Sequence, residues 1–378
     1  MTHLEHLTPE TFLELSADIS YRLSGRAFDP RMLLDLILEG AVKAPCDENI
    51  LIQAISVVHA GYGDSRRKMG PLAVVHPLRV AALLSRVTHD PSTLDLLGAI
   101  LHDRDEDLTE GQLEPDNWTK MQREMANLTR LLDSQQQWFL GERISLLTHH
   151  KETMHYCQYL AELLTHSSEM PDLIRVKLAD RLDNTLDIGV SSHGLPESGL
   201  FGTLFDLLFL PNFNGFPTPA SYIPISEPEG TQILANIFKN AEFLSLLRSE
   251  QVQLEGTTRK LYQALVRASI RITKYLVQDT FLDLPVIEQR AAVADVQFYC
   301  QAGGLQEVRG SEGHPLDGLF LGIYGCEDGR KGRLRELLTG DKTRLARVAL
   351  VFLAVFANFL ADPSYTIKGI DRHGTHLM

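Results

Sequence analysis

Apolar residues recur at helical spacing along most of the chain, and this limits the fold more than any other feature. Leu51, Ile52, Ile55 and Val58 fall on one face of a segment from Asn49 to Ala60, the spacing of a helix with one side turned to a core. Leu78, Ala81, Ala82 and Leu83 repeat the pattern between His76 and Arg86. The same periodicity predicts helices over Thr11–Leu23, Arg31–Val42, Thr93–Asp105, Asn117–Leu132, Gly141–His149, Met154–Thr165 and Asp172–Asp187. No segment alternates convincingly at period two. Val286-Ile287 and Leu319–Ile323 are the short stretches that could be extended. An all-α fold follows.

The chain changes character near Val190. From Ser191 to Pro228 it is rich in Gly, Pro, Ser, Asn and Phe, and the prolines at 211, 217 and 219 rule out a regular helix there. The expected organisation is therefore a first domain over 1–190, a loop or linker over 191–228, and an additional C-terminal helical region over 229–378. Helices are predicted in that last region over Glu229–Ser249, Gly256–Gln278, Pro285–Gln301, Gly329–Leu338 and Asp341–Leu360, with a frayed tail from Asp371 to Met378. An oligomer formed through the C-terminal helices stays open.

Charge and cysteine use narrow the function classes. A formal net charge of −13 disfavours broad nucleic-acid binding, since an acidic chain releases no counterions from a duplex. A small anionic substrate needs only a local basic pocket or a metal. Cys46, Cys157, Cys300 and Cys326 include no pair closer than 26 residues, so neither a disulfide framework nor a zinc–cysteine site is expected, and reduced thiols in a cytoplasmic setting are. Met1 to His6 carry no basic and apolar leader pattern. The most apolar run, Val348 to Leu360, is shorter than the roughly 20 residues that span a bilayer and is interrupted by Asn358. It reads as a core helix, and no membrane partner is expected.

Chemistry concentrates in an ordered set of motifs. Arg66-Arg67-Lys68-Met69-Gly70-Pro71 precedes His76-Pro77. His102-Asp103 ends the apolar run Leu94–Leu101 and leads into Glu106-Asp107. Lys177-Leu178-Ala179-Asp180-Arg181-Leu182-Asp183-Asn184 follows later. Polar groups at the end of an apolar helix must find partners, because leaving one buried and unpaired costs about 1–3 kcal/mol. A metal ion is one such partner, with His76 and Asp180 as candidates to complete the shell. Glu106 and Asp107 lie one helical turn beyond His102 and Asp103, suited to proton transfer or to holding a water. Arg67 and Lys68 suit phosphate or base contacts. Each motif also has a plainer reading. The basic run could be a solvated surface, Asp105 part of an acidic helix end, and Asp180 half of a structural Asp–Arg pair.

Taken together and in order, the motifs resemble the HD-type hydrolase domain of the Rel/SpoT alarmone enzymes and their small single-domain relatives. The resemblance covers about residues 45–190 and rests on Arg67-Lys68-Met69-Gly70, His76-Pro77, His102-Asp103-Arg104-Asp105-Glu106-Asp107 and Lys177 to Asn184. It implies an HD-domain helical bundle. It also implies one Mn²⁺, with another divalent ion open, bound by His76, His102, Asp103 and Asp180. Glu106 and Asp107 would be the catalytic acids, and Arg67, Lys68 and Asn184 would contact a nucleotide. The implied reaction is release of pyrophosphate from the 3′ position of a guanosine, or adenosine, alarmone such as ppGpp. Another nucleotide substrate, or a non-catalytic nucleotide-binding regulatory module, is the alternative. The chain departs from the family at Met69, Pro71, Leu108 and Asp183, where the family has Ser, Glu, Thr and His. No segment after Val190 resembles the family's synthetase domain.

Overall fold

The computed structural model describes residues 9–23, 28–39, 47–67, 72–88, 91–150, 156–193, 230–281, 284–301 and 342–367, the pairs 370–371 and 374–375, and Leu7 and Met154. The fold is all-α. The helices are α1 (Pro9–Leu23), α2 (Pro30–Ile37), α3 (Glu48–Tyr62), α4 (Val75–Val87), α5 (Thr93–Leu101), α6 (Arg104–Asp107), α7 (Pro115–Leu131), α8 (Ser134–Leu147), α9 (Tyr156–Thr165) and α10 (Pro171–His193). After them come α11 (Gly230–Ser249), α12 (Gly256–Phe281), α13 (Val286–Gln301) and α14 (Lys342–Ala361). Strands β1 (Ile370–Asp371) and β2 (Gly374–Thr375) pair antiparallel, so this part of the tail expected to fray is ordered. Val286 and Ile287 open α13 rather than a strand, because Pro285 starts a turn whose carbonyl accepts from Glu288 and Gln289. The expected helix 329–338, the stretch Leu319–Ile323 and residues 194–228 of the expected linker lie outside the described residues. Among the described residues no helix is long and apolar enough to cross a membrane.

The chain forms two compact units. One comprises Met1–His150, Glu169–Glu227 and Glu255–Leu261; the other comprises Lys151–Ser168, Pro228–Leu254 and Tyr262–Met378. These units are discontinuous in sequence, whereas the expected division at 190 is drawn along the chain. Helix α9 belongs to the second unit, where it packs beside α11 and buries Tyr159, Leu160 and Leu163. Sequence order does not reveal which long-range partner covers an apolar face.

In the first unit α4, α5 and α10 pack on one another. Local signals set their ends. Ser92 and Asp95 make a reciprocal capping box that starts α5, and Asp95 Oδ1 also accepts from Arg175 of α10 at 2.8 Å. Pro77 sits in the first turn of α4, where no N–H is needed. Helix α8 starts seven residues before its predicted Gly141, because Asp133 and Gln136 cap it although its first turn, Ser-Gln-Gln-Gln, shows no apolar period. Arg143 of α8 makes a buried bidentate pair with Asp172 of α10.

In the second unit, α14 buries Ala346, Val348, Phe352, Phe356 and Phe359, as its apolar sequence predicts. Arg248 of α11 donates to the carbonyl of Phe359 at 2.6 Å, an acceptor that the end of α14 leaves open, and to that of Tyr365 at 3.2 Å. A carbonyl of the following turn, Asp362 O, accepts from the same side chain.

Candidate metal centre

Three chain segments bring the predicted ligands together. Helix α3 ends at Gly63, whose φ of +50° few other residues adopt without strain; a Cβ there would also meet Asn117 Nδ2 at 2.5 Å. The chain then turns so that Ala73 N donates to Ser65 O at 2.7 Å and Arg66 bridges Leu72. These contacts deliver His76 to the second position of α4. Lys68, Met69 and Pro71 lie outside the described residues.

His102 and Asp103 do not continue one helix to Asp105, as periodicity predicts. Helix α5 stops at Leu101, His102 Nδ1 turns onto Ala99 O at 2.8 Å, and Asp103 leaves helical geometry at φ −93°, ψ 7° before α6 begins. Asp180 comes from the buried stripe of α10 with Ile174, Leu178 and Leu182.

The side chains converge. Ligand atoms of His76, His102 and Asp103 lie within 4.8 Å of one another. His76 Nε2 is 3.2 Å from Asp103 Oδ2 and 3.4 Å from Asp180 Oδ1. His102 Nε2 is 3.2 Å from Asp103 Oδ1 and 3.7 Å from Asp180 Oδ1. His76, His102 and Asp180 are buried, whereas the Asp103 side chain is 22% exposed and is the solvent-facing member of the four.

Proton placement shows what this centre requires. His102 Nδ1 faces a carbonyl, which only accepts, so Nδ1 carries the proton and a neutral ring points its Nε2 lone pair at Asp103 and Asp180. His76 Nδ1 lies 2.6 Å from Asp183 Oδ2, which likewise leaves the Nε2 lone pair facing the same two carboxylates. His102 Nε2 is buried and, despite its nearness to Asp103, makes no hydrogen bond. Two lone pairs and two carboxylates facing one another repel unless positive charge stands between them, either protons or a cation. The titration shifts state the same demand. Burial and Arg67 lower the His76 pKa, but Asp183, Asp103 and Asp180 together raise it from 6.5 to about 9. Burial also opposes charge on His102, yet Asp103 and Asp180 hold its pKa well above 6.5. Burial opposes ionisation of Asp180 as well; Lys177 Nζ, 2.9 Å from Oδ2, and the two histidines keep its pKa well below the usual carboxylate value.

The expected acids stand beside this centre in unequal roles. Glu106 Oε1 accepts from the backbone N–H of His149 at 2.7 Å. Asp107 is exposed, with Oδ2 accepting from Tyr62 at 3.3 Å. Partial desolvation and the charges of Asp103 and Glu106 raise the Asp107 pKa above 3.8, the direction that suits a proton donor. Asp105 pairs with its neighbour Arg104 at 2.6 Å, in keeping with its plainer reading as part of a solvated helix end.

Arg67 and Asn184 meet directly. Arg67 Nη2 donates to Asn184 Oδ1 at 2.7 Å, and Asn184 Nδ2 donates to Asp180 Oδ1 at 2.6 Å. Asn184 thus links the arginine to a candidate ligand. Arg67 also faces Asp183 at 3.5 Å and Asp187 at 3.7 Å.

Sequence reasoning assigned no site role to Tyr62, Arg79, Lys177, Asp183 or Asp187. Spacing carried a signal for four of them. Arg79 lies three residues after His76, and Lys177, Asp183 and Asp187 repeat at helical intervals around Asp180 and Asn184. Leu108, a departure from the family, is buried and packs against Gly61, where a Cβ would come within 3.1 Å of its methyl groups.

Searches against protein-family models, curated proteins and solved structures found no match to this chain.

Proposed function

We propose that the chain is a metal-dependent phosphohydrolase that removes the 3′-pyrophosphate from guanosine or adenosine alarmone nucleotides such as ppGpp. The observation that carries this reading is the pair of inward imidazole lone pairs, on His76 and His102, facing Asp103 and Asp180. Such a nitrogen and oxygen donor set suits Mn²⁺ or another first-row divalent ion and leaves positions open for oxygen ligands. His76, His102, Asp103 and Asp180 would hold the ion. When bound, it supplies Lewis-acid polarisation of a phosphate oxygen and lowers the pKa of water.

The protein's own groups then have defined tasks. Glu106 and Asp107 position the attacking water and handle protons. The water oxygen bonds to the phosphorus attached to the ribose, the bond from phosphorus to the 3′ oxygen breaks, pyrophosphate leaves, and the 3′ oxygen takes a proton. A carboxyl with a raised pKa, as at Asp107, fits the donor's part. Arg67, anchored by Asn184, supplies positive charge for the substrate in an otherwise acidic protein.

The test incubates the purified chain with ppGpp, pppGpp and their adenosine counterparts, with and without Mn²⁺, alongside a panel of other nucleotides. Mn²⁺-dependent pyrophosphate release that is abolished in Asp103→Ala is the expected result. Turnover of other nucleotides only would move the reading to a different phosphohydrolase. Tight nucleotide binding without turnover would make the chain a regulatory module.

A further inference from the structure

His76 is held by an acid that its own motif does not contain. We propose that Asp183 is the positioning residue of this centre, fixing the tautomer and direction of His76 so that Nε2 faces the ion; this rests on the metal-site reading above. Asp183 stands where the resembled family has His, and it is fully buried. Its Oδ2 accepts from His76 Nδ1 at 2.6 Å and from Arg79 Nη2 at 3.0 Å. Its Oδ1 lies 2.7 Å from Arg79 Nε as an ion pair.

The charge of Asp183 tolerates burial because Arg79 is buried beside it. Arg79 is 1% exposed. It is also gripped by Asp187 at 2.9 Å and Ser16 at 3.1 Å, and its guanidinium lies over the Phe12 ring. This immobile cation leaves Asp183 one preferred orientation. A carboxylate so fixed sets the imidazole plane and makes the metal-facing nitrogen more basic. The third contact of Oδ2, Arg67 Nη1 at 3.5 Å, ties the same acid to the substrate arginine.

A purely structural alternative is that Asp183 only neutralises Arg79. The double variant Asp183→Leu/Arg79→Met separates the two, because it removes this buried charge pair together, and Asp187, which loses Arg79, still faces Arg67 at 3.7 Å. Mn²⁺ binding is measured on the full chain by calorimetry and by the electron paramagnetic resonance signal of free Mn²⁺. The visible spectrum of the Co²⁺-loaded chain reports ligand geometry. The double variant is expected to bind Mn²⁺ about 10–100-fold more weakly, with an altered Co²⁺ spectrum and a cooperative metal-free melt. Asp183→Asn keeps an acceptor for Nδ1–H and is expected to recover part of the affinity. Wild-type affinity and spectrum in the folded double variant would overturn the positioning role and leave the metal site standing. A wild-type chain that binds no Mn²⁺ would overturn the metal site and the positioning role with it.

Discussion

Both units bury polar side chains on helices, but to different ends. In the second unit several of these groups close on one another. Asn240 donates to Ser269 at 2.9 Å, the Cys157 thiol to Glu242 at 3.2 Å, and Ile367 N to Ser245 at 2.7 Å. Each contact joins two segments, which is what a buried polar group does when its role is to specify packing. In the first unit the outer atoms of the centre are equally well tied: His76 Nδ1 to Asp183, His102 Nδ1 to Ala99, and Asp180 Oδ2 to Lys177. The inner imidazole nitrogens are not. Nε2 of each histidine meets only carboxylates at 3.2–3.7 Å. The contrast teaches that burial of polar groups does not by itself mark a site; what sets the candidate centre apart is two fixed imidazoles whose inner nitrogens face carboxylates.

The largest effects separate the two regions. Phe352→Ala removes a fully buried ring from the second unit and is expected to cost about 3–5 kcal/mol in denaturant unfolding, while Mn²⁺ affinity of the folded protein stays at the wild-type value. Weakened metal binding in that variant would break the distinction. Asp103→Ala is expected to do the reverse, abolishing Mn²⁺ binding and with it the Mn²⁺-dependent activity while leaving a cooperative metal-free melt. An Asp103→Ala chain that still binds Mn²⁺ at wild-type strength counts against the ligand set.

A change of pH sharpens the comparison without mutation. In metal-free protein the His76 pKa is raised from 6.5 to about 9, so its stabilising contribution is complete below 6.5 and is lost as pH rises through about 9. Asp103 and Asp180 are held below 3.8, so theirs is present above 3.8 and is lost as pH falls further. Thermal melts with a chelator should therefore decline from pH 6.5 towards 8.5. With Mn²⁺ the decline should flatten, since an ion replaces the protons. Identical pH dependence with and without Mn²⁺ would argue that protons alone occupy the centre. The smallest effect is expected from Tyr62→Phe, which removes one hydrogen bond to Asp107. Its loss, about 0.5–1.5 kcal/mol, corresponds to roughly a 2–10-fold change in kcat and, because that hydrogen bond lowers the Asp107 pKa, should move the alkaline limb of the pH–rate profile to higher pH. An unchanged profile would remove Tyr62 from the site.

Much of this molecule was legible in the order of its residues. Helical periodicity at Leu51–Val58 and Leu78–Leu83 specifies the fold class, because one apolar face per turn can be buried only as a helix. The motifs at His76, His102-Asp103 and Asp180 named the groups that converge, because polar residues at the margins of apolar helices must meet partners. Contacts across the fold decided the rest. The pairing of Asp183 with Arg79 and the placement of α9 beside α11 each join residues far apart along the chain, and the break at Asp103 matters because it turns that carboxylate towards His76. Local pattern carries only what a residue does with its neighbours in sequence. The direction of a lone pair, and the charge that must stand before it, depends on which distant side chain packing brings within about 3 Å.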